Sequence, residues 1–150
     1  DKGTRADMYQ IFSSYEANSQ IYVCGSERYM DSVVNAAKRN NIPEENIHLE
    51  YFAVPEEPDY VDYEFTLKLT KSGKEFLIPA NKTATDILKE NGFGIDIKCS
   101  DGICGVCKCG LISGDVEHRD FVLSKQQRHG QIILCKSRAL EENGIVEIDM

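Results

Sequence analysis

Six cysteines stand in this chain of 150 residues, and four of them, Cys99, Cys104, Cys107 and Cys109, crowd into one short stretch. Cys24 and Cys135 stand apart. Thiolates are soft metal ligands, and thiols also pair into disulfides. A disulfide framework belongs to secreted mini-proteins, and no basic segment followed by an apolar run marks a secretory signal here. Clustered thiols in a chain without that signal point to metal, and the expected location is cytoplasmic.

The spacing Cys99-x4-Cys104-x2-Cys107, with Cys135 far downstream, matches that of plant-type [2Fe–2S] sites. The chemistry explains the number of thiols. Each iron needs four soft ligands in a tetrahedron, and two irons sharing two sulfides leave four thiolates for the protein to supply. Three come from one tight loop, and the fourth closes the cage from a distant strand. Gly102 and Gly105 let the loop backbone approach a negatively charged cluster with its N–H groups turned inward. A zinc site could use Cys104-x2-Cys107 with two further thiols. The x4 gap and the single distant Cys135 do not resemble paired zinc knuckles. A Rieske centre needs two histidine ligands, and His118 and His129 have no cysteine at ligand spacing. Cys109 could compete as a ligand. It is read instead as a small buried side chain on the strand leaving the loop.

These thiols need elements to hold them. Tyr63, Phe65, Leu67 and Leu69 alternate with polar residues, the pattern of a half-buried strand. Ser72-Gly73 turns the chain into a returning strand over Glu75–Pro79. Thr83 with Asp86 resembles a capping box ahead of a short helix, and Gly92 stands where a helix would end. Further strands are expected around Lys108–Ile112, Ile132–Cys135 and Ile145–Ile148, with a short helix capped by Ser124 and Gln127. Together they make a small α+β roll over residues 58–150.

Residues 1–57 read differently. Asp7 can cap a helix whose period is Met8, Ile11, Phe12 and Tyr15. Ile21–Cys24 reads as a buried parallel strand ending at Gly25. Met30, Val33, Val34 and Ala37 repeat the helical period behind a Ser26 cap, Pro43 breaks the chain, and Ile47–Phe52 is a second strand. Strand, helix, strand is a βαβ unit, and one such unit cannot cover both faces of a sheet. The segment therefore reads as a remnant of a larger α/β domain, in keeping with a start at Asp1 rather than Met. Ala53–Asp62, with two prolines and several acids, is the linker expected between the pieces.

The net charge of −8 argues against phosphate-backbone binding, which needs a basic patch, and no run of about 18 apolar residues predicts a membrane helix. Neither a nucleic acid nor a membrane is an expected partner.

The chain resembles the C-terminal part of phthalate dioxygenase reductase-type proteins, the flavin-dependent reductases that serve Rieske oxygenases. The resemblance rests on Cys99–Cys107 with Gly105, on Glu117-His118-Arg119-Asp120, on Cys135 with Ser137-Arg138-Ala139, on Tyr22-Val23-Cys24-Gly25, and on His48-Leu49-Glu50-Tyr51-Phe52. It implies a β-grasp ferredoxin domain over 58–150. It implies that 1–57 ends a nicotinamide-binding domain, and that FMN and NAD(P)H serve the full-length parent. By this analogy Cys24 and Gly25 face the nicotinamide and Phe52 lies near the flavin, although Cys24 could be a plain strand residue and Phe52 a core aromatic. The implied function is one-electron transfer from reduced flavin to a terminal oxygenase, the alternative being a carrier tail fused to a haem monooxygenase or a reductive dehalogenase. The chain alone is not expected to turn over NAD(P)H. Two residues depart from the family pattern: Ser26 replaces a proline after Cys-Gly, and Lys98 replaces a serine before the first cluster cysteine. Lys98 is expected to point to solvent. His118 and Arg119 are expected to hold a loop network, and Asp115 and Glu117 to be solvated turn charges.

Overall fold

The computed structural model describes residues 6–16, 18–54, 56 and 58–150. Pro55 and Glu57, in the expected linker, lie outside them. The chain divides into two compact units, Asp1–Ala53 and Val54–Met150. Among the described residues no helix is long and apolar enough to cross a membrane.

In the first unit the Asp7 carboxylate accepts the N–H groups of Tyr9 (3.0 Å) and Gln10 (3.3 Å) and starts α1, Met8–Phe12. The helix is shorter than its apolar period suggests. Phe12 is buried, whereas Ile11 and Tyr15 are exposed. Strand β1 (Ile21–Cys24), helix α2 (Glu27–Arg39) and strand β2 (Ile47–Glu50) form the expected βαβ unit, with Ile21 opposite Ile47 and Cys24 opposite Glu50 in parallel register. Met30, Val33, Ala36 and Ala37 of α2 pack with Phe12, Ile21, Val23 and Ile42. Ser26 stands at the N-cap position but makes no capping bond. The apolar run of β1 predicts burial on both faces, and only one is buried. Tyr22 is 70% exposed and stacks on His48 with ring centroids 4.5 Å apart. β2 ends at Glu50, so Tyr51 and Phe52 lie beyond the strand.

In the second unit β3 (Phe65–Leu69) and β4 (Lys74–Ile78) form the hairpin, α3 (Ala84–Glu90) crosses over, and β5 (Lys108–Ser113), β6 (Val116–Glu117), β7 (Gln131–Ile133), β8 (Arg138–Ala139) and β9 (Ile145–Ile148) follow. The main sheet runs β4-β3-β9-β5-β7, with β3 and β9 parallel at its centre and β5 antiparallel to both neighbours. β6 and β8 pair separately. The inward residues of β3, Phe65, Leu67 and Leu69, meet Ile78, Leu88, Ile132, Leu134, Val146 and Ile148 in the core. The capping box forms as expected: Thr83 Oγ1 accepts from Asp86 N–H (3.2 Å) and Asp86 Oδ2 from Thr83 N–H (2.9 Å). At the other end of α3, Phe93 N–H reaches Leu88 O and Gly92 N–H reaches Lys89 O, a Schellman stop.

Three expected elements come out shorter. β3 starts at Phe65, opposite Ile78, rather than at Tyr63: its partner strand runs into Pro79, which has no N–H for a ladder, and the Tyr63 carbonyl accepts from the Arg138 guanidinium instead. Ser124 and Gln127 do bond reciprocally, yet the helix they begin is one 3-10 turn, Gln127–His129. β7 ends at Ile133, which leaves Cys135 in the turn after it.

Candidate metal centre

The loop after α3 curls because three residues adopt left-handed backbone, Ser100 (φ 64°), Gly102 (φ 72°) and Gly105 (φ 70°). Successive turns of this hand point N–H groups into one concavity. Cys99 Sγ accepts from Asp101 N–H at 3.4 Å and is reached by the amides of Ile103 and Cys104. The four thiols fall into two interacting pairs: Cys104 lies close enough to lower Cys99, and Cys135 close enough to lower Cys107. Cys107 and Cys135 are buried beside Leu123 and Ile133, with Ile97 and Val122 at the edge. Cys99 and Cys104 are only half buried, and Val106 between the second and third cysteines is exposed. The site thus has an apolar back and an accessible front.

Two of the thiols, Cys99 and Cys107, are primed for deprotonation. Burial pushes Cys99 up, and its three amide contacts with the Cys104 thiol bring it down to about 7. The neighbouring Cys135 thiol, against the cost of burial and with help from local amides, lowers Cys107 to about 6. Cys135 moves the other way, raised by its bond to Cys107, by burial and by the charge on Cys107. The first proton leaves this buried pair readily and the second is held, because two adjacent thiolates repel. Cations between the sulfurs would remove that repulsion. The donor set, two thiol pairs in an amide-rich cradle, fits a two-iron cluster.

Cys109 stands on a strand as expected, half buried rather than buried. It lies opposite Ile132 on β5 and packs against the main core rather than with Cys107 and Cys135. Burial raises its thiol above the usual range, which makes it a poor nucleophile. Lys98 is exposed and points to solvent. Cys24, Gly25 and Phe52 come to the same carboxyl end of the two parallel strands. Cys24 is half buried, and Phe52, at 88% exposure, is no core aromatic.

The charged stretch before Phe121 is more engaged than its sequence suggests. Arg119 is buried, donates to Glu117 (2.7 Å), Asp62 (2.5 Å) and the Val61 carbonyl (3.0 Å), and stacks 4.3 Å over Tyr60. Glu117 is therefore an ion-pair partner rather than a solvated turn charge. Tyr60–Asp62, expected in the linker, are gripped by the second unit. No local pattern announces this contact, since Asp62 and Arg119 are 57 residues apart. Arg138 is also buried and donates to the carbonyls of Tyr63, Pro79 and Lys82.

The 2Fe-2S iron-sulfur cluster binding domain family matches residues 67–140. The phthalate 4,5-dioxygenase oxygenase reductase subunit of Pseudomonas putida is 35% identical over 100% of this chain, which spans 46% of that protein's length. The solved phthalate dioxygenase reductase, described as a modular structure for electron transfer from pyridine nucleotides to [2Fe–2S], is 30% identical with a TM-score of 0.66, over 100% of this chain and 46% of that one. An intact type IV self-sufficient cytochrome P450 monooxygenase is 28% identical with a TM-score of 0.69, over 100% of this chain and 20% of that one. The chain spans less than half the length of these proteins. Its second unit is a β-grasp [2Fe–2S] ferredoxin domain, and the whole chain matches the C-terminal part of phthalate dioxygenase reductase-type proteins, the part that bears this domain.

Proposed function

We propose that this chain passes single electrons through a [2Fe–2S] cluster held by Cys99, Cys104, Cys107 and Cys135. The observation that carries the proposal is the pairing of the thiols, because each iron of a sulfide-bridged pair needs two protein ligands. Cys99 and Cys104 would hold one iron and Cys107 and Cys135 the other. Bound there, the cluster supplies reversible one-electron chemistry at a potential near about −400 mV in plant-type sites. The chain's own residues orient it, donate amide N–H groups to its sulfurs and exclude water from the Cys107–Cys135 side. The accessible side beside Val106 suits close approach of a donor or acceptor.

Residues 1–57 are read as the end of a nicotinamide-binding domain. Cys24, Gly25 and Phe52 lie where open α/β sheets bind ligands, outside the carboxyl ends of the strands. In the full-length parent, NAD(P)H would reduce FMN, and FMN would feed the cluster in single steps. The acceptor would be a terminal oxygenase, of Rieske type and in the cytoplasm; the names of the relatives, a dioxygenase reductase subunit and a dioxygenase reductase, support an oxygenase acceptor. The likeness to a self-sufficient P450 supports a second reading, in which the same module is a tail fused to its catalytic domain.

Absorption and EPR spectra of the purified chain test the cluster. Reduction should give a rhombic S = 1/2 signal, whereas a colourless zinc-containing protein would refute it. Turnover of NADH with a dye acceptor by residues 1–150 alone would refute the need for upstream domains.

A further inference from the structure

The segment from Glu117 to Asp120 alternates like a strand, and its two sides serve different partners. Glu117 and Arg119 engage residues 60–62. His118 and Asp120 face each other on the other side, with His118 Nδ1 3.6 Å from Asp120 Oδ1, beyond hydrogen-bond distance; the Asp120 side chain is wholly buried and, among the described residues, neither atom has a hydrogen-bond partner. A buried carboxylate is expensive unless its hydrogen bonds are satisfied. Asp120 Oδ2 accepts Val122 N–H (3.2 Å) and Leu123 N–H (2.8 Å), closing an Asx turn. Arg128 Nη2 stands 3.8 Å from the same oxygen and donates to the Asp120 carbonyl at 2.8 Å. Burial pushes the carboxyl up, and His118, the two amides and Arg128 together bring it below the usual range.

The turn has a target. It presents Phe121 N–H to the Gly102 carbonyl at 3.1 Å. Gly102 is left-handed, and a Cβ there would stand 3.2 Å from Asp120 Cα, so turn and loop touch closely. The Gly102 N–H in turn lies close enough to Cys135 Sγ to lower its thiol, against the larger effects of Cys107 and burial. From the Asp120 carboxylate to the fourth thiol the path is carboxylate, turn amides, Gly102 peptide and sulfur.

We propose that Asp120 is a positioning residue for Cys135: its carboxylate folds the turn that fixes Gly102 and thereby aims the Gly102 N–H at the Cys135 sulfur. This rests on the reading of Cys135 as a cluster ligand. An N–H bond to a ligand sulfur strengthens as negative charge accumulates, so it favours the reduced state. Loosening it lowers the midpoint potential. Removing the Asp120 charge acts oppositely, because a negative charge nearby disfavours reduction. Asparagine keeps the acceptor oxygen and loses the charge; alanine loses both. The difference between the two variants isolates the hold on the turn.

The test is a spectroscopic redox titration of wild type, Asp120→Asn and Asp120→Ala as the full 150-residue chain. Asp120→Ala should lie below Asp120→Asn by about tenfold in the reduction equilibrium constant, which is 59 mV for one electron. Equal midpoints overturn the proposal. Should Asp120→Ala take up no cluster, Asp120→Asn decides: unchanged EPR g-values bear the proposal out, and shifted g-values refute it, because the acceptor was kept. A wild type without the S = 1/2 signal overturns the cluster reading and this one with it. A normal wild type with equal midpoints overturns only the role of Asp120.

Discussion

Replacing Arg138 by methionine should destabilise the second unit by about 3 kcal/mol. Arg138 is buried, its guanidinium lies 5.2 Å over the Phe65 ring, and it donates to three carbonyls at 2.7–3.2 Å. Methionine keeps much of the stem's packing and removes every donor. The Pro79 carbonyl retains Lys82 N–H at 3.1 Å. The carbonyls of Tyr63 and Lys82 lose the guanidinium, at about 1–3 kcal/mol each for a buried acceptor without a donor. Burial itself opposes the Arg138 charge, lowering the guanidinium below its ordinary range, so relief of that cost offsets part of the loss. About 3 kcal/mol remains. At about 4–8 °C per kcal/mol for a unit of this size, the thermal midpoint should fall by about 12–24 °C. Circular dichroism and bleaching of the visible absorption, followed at one scan rate, would measure it, since loss of a cluster makes unfolding kinetic. Arg138→Lys should fall between, because an ammonium cannot reproduce the planar fork. A drop under about 4 °C in the methionine variant would refute the view that these bonds, rather than apolar packing, fix residues 63, 79 and 82 around Phe65.

Cys109→Ala should keep the visible absorption and Cys135→Ala should abolish it; a colourless Cys109 variant would place that thiol among the ligands. Gly114→Ala should destabilise by about 3 kcal/mol or more, seen as a lower thermal midpoint, because φ is 108° and a Cβ would stand 2.3 Å from the Ile145 carbonyl oxygen. The Thr83 side-chain and backbone hydrogen bonds hold the Asp86 carboxyl below its usual range. Its contribution is therefore present above about pH 3.9, the unfolded value, and is lost as pH falls through the folded one. Asp86→Asn should lose less stability than wild type between about pH 5 and 3, as thermal midpoints across that range would record; parallel profiles would argue against this role.

Short-range chemistry was legible in the sequence. The [2Fe–2S] domain was legible because a two-iron cluster has a fixed demand for thiols, and four stand here at the matching spacing. The period of Phe65, Leu67 and Leu69 marked a strand because pleated side chains alternate, and Thr83 with Asp86 marked a helix start because the capping bonds span three residues. What failed was whatever depended on a distant partner. Tyr22 reads as a buried strand residue, but burial needs a layer on that face, which the described residues do not supply. Asp62 reads as the end of a linker and Glu117 as a solvated turn charge, but Arg119 joins Glu117, two residues away, to Asp62, 57 residues away. Tyr63 reads as part of a strand, but its carbonyl accepts from Arg138, 75 residues away, outside the sheet. Cys135 shows the division most plainly. Its spacing from Cys107 marked it as the fourth thiol, a matter of sequence. Its Cys107 and Gly102 neighbours come to it only because β5 and β7 pair and the Asp120 turn lies against the loop. Candidate ligands can be proposed from residue type and spacing, whereas the backbone groups that surround them come from packing of distant segments.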